Sequence, residues 1–408
     1  MLSLFSNSRN DRVAQAKAKY FEDGVLPTGT VSDHIFQSWM RCYRGGTRTT
    51  DRIEFQPVSA SRSQLSIQKN RALHEAWLSE QENLLPVISS SSCSVVLTDP
   101  TGVLIGLTPS TNSNQKIIPV AHRVGISLAE EFVGTTAPGL VARTGTQACV
   151  LGSEHYFDIV KDMFCAAAPI RGIDGNLAGI LDISSEISPF AFEPSSVVGA
   201  YASSIENRLL VSQAKNSILV KFQFLPSLMD SPMVGMLGVD FDGYLEWINS
   251  VSNNLLKIPF ECRAAKLRVE DVFELSLSKL ITLLDKGASI QRLTNGFSVY
   301  LSVTLCEKST VATSKSSSAI FADATEVSFR APGQLDTTLS SPDLTELDVP
   351  QVESFQDADS ELIKKYLTEY KGNISKVAKR LKVSRGLIYR RISELSIDIT
   401  AFKPARQV

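Results

Sequence analysis

Apolar residues near the C-terminal end of the chain repeat with the period of a helix. One set follows the spacing i, i+3, i+4, i+7 and predicts the buried face of a short helix: Ile374, Val377, Ala378 and Leu381. After a tight turn, Ser384 is placed to cap a second helix. The inward arc of that second helix is predicted to contain Leu387, Ile388, Arg391 through its methylene stem, Ile392 and Leu395. An upstream helix over residues 361–370 would complete a three-helix unit.

The outer face of the second helix is predicted to contain the residues outside the buried arc: Arg385, Gly386, Tyr389, Arg390 and Ser393. Arginine can bond a guanine edge through two hydrogen bonds in the major groove, and glycine permits close approach. We therefore predict that Arg385, Tyr389 and Arg390 read bases. The side chains predicted to hold phosphates are Lys376, Lys379, Lys382 and Arg391. The full predicted DNA-binding set also includes Ser375, Ser384 and Gly386.

Positive charge is concentrated in the same segment. Residues 361–395 contain ten basic and three acidic side chains, a net charge of +7, whereas the whole chain carries −2. This is the footprint expected when neutralisation of phosphates drives binding to DNA. A solvated basic face on a dimerisation bundle is the alternative. The clean separation of buried and exposed positions favours a DNA-binding module.

Alternating apolar and polar residues farther upstream predict strands. Residues 94–107 predict a hairpin that turns at Asp99–Gly102, and residues 168–184 predict another that turns at Asp174–Asn176. Two hairpins indicate an antiparallel sheet. A second unit of helices and strands is predicted to contain strands at residues 233–239, 244–248 and 297–305.

A long amphipathic helix is predicted between the two units, over residues 194–224. Its apolar stripe comprises Val198, Ala202, Ile205 and Leu209. Ser212 and Asn216 interrupt the stripe. Two interpretations stay open, a dimer seam and a helix that packs on its own sheet.

Size and composition favour a soluble protein of several domains. A chain of 408 residues is longer than a domain with a single hydrophobic core usually is. A composition of 43% apolar and 21% charged residues is ordinary for a globular protein. Residues 331–360 contain three prolines, seven acidic residues and no Lys or Arg. That composition predicts a flexible acidic tether.

Short segments of the C-terminal unit match a known pattern: Gly372–Ser375, Val383–Arg385, Ile388–Ile392 and Leu395. They resemble the Fis-type helix-turn-helix that closes many bacterial transcription activators. Lys382 departs from that pattern, since the family commonly places glycine in the turn. A left-handed backbone there would cost a non-glycine residue roughly 1 kcal/mol, so we expect a slightly reshaped turn.

A second resemblance rests on segments between residues 124 and 184, with one more upstream: Gly134–Ala137, Gly152–Phe157, Cys165–Ile170, Gly179–Ser184 and Ile35–Cys42. They resemble the GAF sensor domain of the activators of acetoin and glycerol catabolism. By the same likeness, residues 224–308 would be a PAS domain. The fold class implied is multidomain α+β, with a GAF-like antiparallel sheet and helices, a PAS-like αβ domain and an all-α helix-turn-helix.

The domain boundaries that follow from these interpretations cover the whole chain. We predict an N-terminal helical region at 1–85, the GAF-like sensor at 86–192, a linking helix at 193–223, the PAS-like domain at 224–308, a flexible acidic linker at 309–357, the helix-turn-helix at 358–397 and a tail at 398–408.

The activators in question usually carry a central ATPase, whose phosphate-binding loop reads GxxxxGK[ST]. The sequence contains no such string, and the 54 residues from Glu307 to Ser360 are too few for that domain. The resemblance therefore implies a regulator of catabolic genes that works without ATPase activity. An ATPase-less adaptor or antagonist that heterodimerises with full-length activators is the alternative.

A pocket that binds an effector should mix apolar walls with a few fixed hydrogen-bonding groups. The ligand-binding candidates are Phe132, Thr135, Thr136, His155, Phe164 and Cys165, and each could equally be structural. A redox enzyme with Cys165 as nucleophile and His155 as base is the enzyme-class alternative. We expect instead that Cys165 is a small core residue with an unperturbed thiol and that the protein has no catalytic residues.

The remaining expectations concern metals, location and partners. Six scattered cysteines without zinc-finger spacing indicate free thiols, and neither a metal nor a cofactor is expected. The first residues lack the features of a secretion signal and no apolar run has membrane-spanning length, so we expect a cytoplasmic protein without membrane contact. The expected partners are a double-stranded DNA operator, a small-molecule effector, RNA polymerase and a second copy of the chain in a homodimer.

Overall fold

The chain divides into two compact units, Met1–Glu307 and Lys308–Val408. The computed structural model describes residues 8–306 except 56, 90, 109–113 and 187, and residues 363–402 except 382, 384, 386, 387, 390, 391, 393–396 and 398. The predicted linker at 309–357 lies outside the described residues. Among the described residues, no helix is both long enough and apolar enough to cross a membrane.

Five antiparallel strands form the first sheet: β1 Cys93–Thr98, β2 Leu104–Leu107, β3 Ala148–Leu151, β4 Met163–Arg171 and β5 Leu177–Glu186. Their order is β2-β1-β5-β4-β3. Both predicted hairpins are confirmed. The Asp99 carboxylate accepts the N–H groups of Thr101 and Val103 in the first turn, and the Asp174 carboxylate accepts that of Asn176 in the second.

Seven helices precede or interrupt these strands: α1 Arg9–Asp23, α2 Asp33–Arg44, α3 Ala60–Lys69, α4 Arg71–Ile88, α5 Ile118–Ala121, α6 Glu130–Val133 and α7 Ala137–Thr144. Two single-turn 3₁₀ helices follow, Gly152–Glu154 and Asp158–Val160.

The first sheet is buried on both faces. Strand β5 sends Leu181 and Ile183 into a core with Trp77 of α4, and it sends Ile180 into a second core with Trp39 of α2. This division follows the two-residue period of a strand. Helices α1 and α2 are therefore part of the packing of the first sheet.

The long helix that follows is shorter than predicted. Helix α8 spans Pro194–Gln213, and strand β6 spans Ile218–Gln223 in what we predicted to be the end of the helix. The chain leaves the helix before Asn216, which has a positive φ of 55°, and residues 218–223 pair with two neighbouring strands. The predicted linking helix at 193–223 is thus wrong over its last residues, because strand pairing outweighs helical pattern there.

The apolar stripe of α8 is confirmed, and it packs on its own sheet. Val198, Ala202, Ile205 and Leu209 are all buried in the core that α4 shares with the first sheet. Of the two interpretations left open by the sequence, the described contacts support intramolecular packing.

The second antiparallel sheet contains β6, β7 Gly235–Val239, β8 Leu245–Ile248, β9 Ser289–Arg292 and β10 Ser298–Leu305. Its strand order is β8-β7-β6-β10-β9. Helices α9 Ser250–Leu256, α10 Val269–Val272 and α11 Leu277–Thr282 and the 3₁₀ turn Pro226–Leu228 complete this part. The three predicted strands are confirmed. The sequence did not predict β6 or the short edge strand β9, which lacks an apolar alternation.

The second unit begins its described part with a helix over residues 363–369, here α12, followed by α13 Ile374–Leu381. Ile363 and Leu367 of α12 are buried, as are Ile374 and Val377 of α13. The predicted apolar face of this helix pair is therefore confirmed. Residues 399–402 form a 3₁₀ turn.

Candidate functional site

A small cavity lies between one face of the first sheet and the segments that cover it. Strand β4 contributes Met163 and Cys165, and β5 contributes Asp182 and Ser184. The covering segments contribute Ile53, Phe55, Ile117, Ala121, His122, Leu128, Val133, Thr136, Pro138, His155 and Val160. The cavity offers about 40 Å³ to the centre of a water molecule. The cavity is mostly apolar, and its polar lining residues include Asp182 and Ser184 of the sheet.

Two buried polar atoms of the cavity have no hydrogen-bond partner within the described structure, His155 Nε2 and Asp182 Oδ1. Both residues are about 1% exposed. The other polar atoms of these side chains are engaged: His155 Nδ1 lies 2.9 Å from the Gly152 carbonyl oxygen, and Asp182 Oδ2 accepts the Ser184 hydroxyl at 2.6 Å. Because a carbonyl can only accept, Nδ1 carries the proton and Nε2 of the neutral ring is an acceptor.

Burial shifts the charge states of these groups toward the neutral forms. Desolvation raises the pKa of Asp182 to about 7 against the lowering effect of its Ser184 hydrogen bond. Desolvation also lowers the pKa of His155 to about 4 and that of His122 to about 4. The two histidines are therefore neutral at neutral pH, and Asp182 retains its proton only below about pH 7.

Strand β5 also anchors the wall opposite the sheet. The Glu186 carboxylate is buried and accepts the backbone N–H groups of Lys116, Ile117 and Ile118 at 2.7–3.0 Å. These are the unpaired donors at the start of α5, where a carboxylate is favourable. Helix α5 then presents Ala121, with His122 next to it, to the cavity.

The segment that carries His155 is held by α1 and α2. The buried ammonium of Lys17 donates to the carbonyl oxygens of His155 and Tyr156, both at 2.9 Å, and pairs with Asp158 at 3.0 Å. Burial lowers the pKa of Lys17, and its Asp158 partner opposes that shift. Trp39 Nε1 donates to the Glu154 carbonyl at 2.7 Å. The N-terminal helices thereby fix the position of the His155 ring.

The structure brings together only part of the predicted ligand-binding set. Thr136, His155 and Cys165 line the cavity, and Thr136 also caps α7 by accepting the Gly139 N–H. Thr135 is fully buried and hydrogen-bonded to Ser38, outside the cavity lining. The prediction is also wrong for Phe132 and Phe164. Phe132 is 53% exposed, and Phe164 alternates with Cys165 along β4 and so points to the opposite face.

The sequence-based candidates omitted several residues that matter here: His122, Asp182, Ser184, Glu186 and Lys17. For Asp182 a signal existed, because a carboxyl group in the middle of the apolar run Gly179–Ser184 must be buried on one face or the other. A lone histidine such as His122 gave no such signal, since only folding brings it to the cavity.

The chemistry of Cys165 does not favour a nucleophile. Burial raises the pKa of its thiol well above the ordinary value, and nearby Asp182 adds to the shift. The expected unperturbed thiol is thus wrong, in the direction of lower reactivity. The Ser184 hydroxyl oxygen lies 3.2 Å from Cys165 Sγ, and all six cysteines are free. Within the described ranges, no group of His, Cys, Asp and Glu could hold a metal ion.

The second candidate site is the basic face of the second unit. The Asn373 side chain caps α13 by accepting the Lys376 N–H at 3.2 Å, after a turn in which Gly372 has a φ of 74°. Four polar positions on one face of α13 are exposed: Ser375, Lys376, Lys379 and Arg380. The Arg385 guanidinium of the next helix reaches back to the Ser375 hydroxyl at 3.4 Å. Arg385 thereby lies next to the exposed cationic face of α13.

The structure corrects one prediction for this surface. Tyr389 was expected to face outward and read bases, but only 4% of it is exposed. It is buried together with Ile388 and Ile392, since positions i, i+1 and i+4 lie on one arc of a helix. Five further members of the predicted set lie outside the described residues: Lys382, Ser384, Gly386, Arg390 and Arg391.

Two protein families match different parts of the chain. Residues 10–200 match the family described as MimR, N-terminal domain, and residues 354–395 match the family described as bacterial regulatory protein, Fis family. The second match confirms the predicted Fis-type helix-turn-helix.

The curated relatives are longer regulators. The signal-transduction and transcriptional-control protein of Clostridium beijerinckii is 26% identical over 67% of this chain and 41% of its own length. The acetoin dehydrogenase operon transcriptional activator AcoR of Bacillus subtilis is 29% identical over 42% of this chain and 28% of its own length. The chain therefore spans well under half of these relatives.

One solved structure to which the chain has a weak likeness is the E. coli DhaR(N)-DhaL complex. It is 15% identical and covers 67% of this chain and 99% of the solved chain, with a TM-score of 0.42.

Proposed function

We propose that this protein is a DNA-binding transcriptional regulator controlled by a small molecule. The support is that its sequence matches both a MimR N-terminal domain and a Fis-family helix-turn-helix. The observation that carries the proposal is the presence of two sites in one chain, a mostly apolar cavity with two unpaired polar atoms and an exposed cationic face on α13. The ligand shifts the balance between two states of the protein, and operator occupancy changes with it.

The cationic surface supports sequence-specific recognition. Lys376 and Lys379 are exposed on α13, where they hold phosphates, and Arg385 lies at the start of the second helix, where it reaches a base edge. The proposed DNA-binding set also includes Ser375, Lys382, Ser384, Gly386, Arg390 and Arg391. Tyr389 is left out because it is buried.

The test of this proposal compares two variants of the full chain on DNA. An operator is first selected from genomic fragments, and affinity is measured on it and on random duplex at several salt concentrations. Arg385→Ala should cost roughly 1 to 3 kcal/mol on the operator and relax sequence preference. Lys379→Ala should weaken both duplexes alike and reduce the salt slope by about 1.

Lys19→Ala, an exposed lysine of α1, is the matched control and should change neither affinity. Equal losses on operator and random DNA for Arg385→Ala would remove its assigned role. No salt-sensitive affinity for any duplex would overturn the proposal as a whole.

The proposal includes action without ATP hydrolysis, as a homodimer in the cytoplasm. The printed sequence contains no GxxxxGK[ST] string. Release of phosphate from ATP by the purified chain, in the presence of DNA, would contradict this part. Light scattering of the full chain tests the dimer, which would place two basic surfaces on a two-fold symmetric operator.

A further inference from the structure

The cavity beside the first sheet leaves two polar atoms to be satisfied by something that enters it. His155 Nε2 and Asp182 Oδ1 are buried and lack partners in the described structure. An unpaired buried polar atom costs about 1 to 3 kcal/mol. A group that bonds both atoms at once would recover that free energy.

The chemistry of the two atoms restricts that group. His155 Nε2 is an acceptor, because the proton of the ring is on Nδ1 and faces the Gly152 carbonyl. The Asp182 carboxyl is largely protonated below its pKa of about 7, so that it can donate. A hydroxyl group fits both demands, since its O–H donates to Nε2 while its oxygen accepts from the acid.

The residues that line the cavity also restrict the charge of a bound molecule. No lysine or arginine lines the cavity, and Asp182 is the one carboxyl group among its lining residues. A buried anion would lie beside that acid without a cation to compensate it. A buried ammonium group would have to ionise Asp182 in a site whose other walls are mostly apolar. Both cost more than a neutral occupant.

Size and shape set a further limit. About 40 Å³ for the centre of a water molecule corresponds to roughly three or four water-sized groups. The remaining walls are aliphatic and aromatic, with Ile53, Phe55 and Val160 among them. They favour a short hydrocarbon portion next to the polar end.

We propose that this cavity binds a small uncharged alcohol whose hydroxyl group bridges His155 Nε2 and Asp182. The inference rests on the ligand-controlled part of the proposed function and names the chemical class of its ligand. Asp182 and His155 are the residues that determine specificity for the hydroxyl group.

Four probes with four non-hydrogen atoms each test the proposal on the full chain: 2-propanol, propanone, the ammonium form of 2-aminopropane and acetate. Binding is followed by thermal shift and by ligand-observed NMR at pH 6.5. The alcohol should bind, and the ketone, which lacks the donor for His155, should bind at least about tenfold more weakly. The two ions should not bind. Stronger binding of the ketone or of either ion than of the alcohol would overturn the proposal.

Variants then locate the site. Asp182→Ala and His155→Gln should each weaken alcohol binding about tenfold or more, whereas the exposed Asp162→Ala should leave it unchanged. Circular dichroism checks that each variant is folded. If His155→Gln does not fold, Ser184→Ala serves instead, since it removes the hydroxyl that orients Asp182 and should also weaken binding.

The outcomes separate this inference from the proposed function. If DNA binding is salt-sensitive but none of the four probes binds, the cavity holds water only, and the inference fails while DNA recognition stands. If the alcohol binds but DNA does not, the inference stands and the regulatory function fails. Unchanged alcohol binding in folded Asp182→Ala and His155→Gln proteins would also overturn the inference.

Discussion

Burial acts in opposite directions on the acid and the bases of the cavity. The pKa of Asp182 is raised from 3.8 to about 7, whereas the pKa values of His122 and His155 are lowered from 6.5 to about 4. The folded protein thus retains a proton on Asp182 that the unfolded chain releases, and excludes protons from the histidines that the unfolded chain takes up. Each group therefore makes stability depend on pH.

The sign differs between the two kinds of group. The contribution of Asp182 is fully present below about pH 3.8 and is lost as the pH rises to about 7. The contributions of His122 and His155 are fully present above about pH 6.5 and are lost as the pH falls to about 4. The two effects oppose each other across most of this window, so that the wild-type protein shows only part of either.

Asp182→Asn isolates the carboxyl group. The stability of this variant relative to wild type should improve by up to about 4 kcal/mol between pH 4 and pH 7, because the asparagine cannot ionise. Urea unfolding at several pH values measures this difference. Asp162→Asn, an exposed carboxyl group, should give a flat difference. A difference for Asp182→Asn that does not change with pH would contradict the buried, protonated acid.

Tyr389 tests burial against DNA contact at a single position. Because its ring is buried, Tyr389→Ala should destabilise the second unit by about 3 kcal/mol or more, while Tyr389→Phe retains the ring and should cost much less. Thermal unfolding of the full chain measures both. If Tyr389→Phe keeps its stability but loses affinity for the operator and not for random DNA, the hydroxyl group reads a base after all.

At the scale of elements, the short segment from the 3₁₀ turn Gly152–Glu154 to Tyr156 depends on helix α1. The Lys17 ammonium donates to the carbonyl groups of His155 and Tyr156, the two residues that follow the turn. Arg9 pairs with Glu154 at 2.8 Å and the Asn10 side chain accepts the Ser153 N–H at 2.7 Å. Helix α1 therefore acts as a support for one wall of the cavity.

Lys17→Met should loosen that support. The substitution keeps the length of the side chain but removes the ammonium group, and we expect a loss of about 2 to 3 kcal/mol from bonds to a charged donor. Hydrogen exchange should show faster opening of α1 and of residues 152–158. Lys19→Met on the exposed side of α1 is the control. Equal exchange rates in the Lys17→Met and Lys19→Met variants would show that the Lys17 ammonium does not stabilise α1 and residues 152–158.

At the scale of the whole molecule, Glu206 joins the two sheets of the first unit. It lies in α8 and is 1% exposed. One carboxylate oxygen accepts the Arg171 N–H at the end of β4, and both oxygens accept from Ser250 at the start of α9. The Asn207 and Asn249 side chains bond each other at 2.7 Å nearby. Leu210 of α8 also shares a core with Leu219 and Met236 of the second sheet, so α8 contacts both sheets.

Glu206→Ala should uncouple the unfolding of the two sheets. The substitution leaves two backbone N–H groups without their carboxylate, which costs about 2 to 4 kcal/mol and removes a shared contact. The protein has three tryptophans, and only Trp247 belongs to the second sheet, so its fluorescence reports that sheet separately from Trp39 and Trp77. In single-tryptophan versions, urea transitions that coincide in the parent should separate in Glu206→Ala.

Val211→Ala, at a position of α8 that is 41% exposed, is the control and should leave the transitions together. Transitions that stay coincident in Glu206→Ala would show that other contacts of α8 couple the sheets. Separate transitions in the parent would show that the two sheets are not coupled at all.

Sequence patterns were sufficient to predict the parts whose stability is local. The stripe of Ile374, Val377 and Ala378, the turns at Asp99 and Asp174 and the stripe of α8 follow from periodicities of 3.6 and 2 and from turn chemistry, which depend on near neighbours. The Fis-type resemblance was likewise carried by a short continuous segment, and the family match confirms it.

The end of α8, the side of β4 that Phe164 faces and the burial of Tyr389 depend on contacts between segments that are distant in sequence. The composition of the cavity depends on such contacts as well. His155, Asp182 and His122 lie far apart in sequence, and the pKa of each depends on the segments that exclude water from it. Strand pairing and desolvation are long-range effects, because both depend on which segments meet in space.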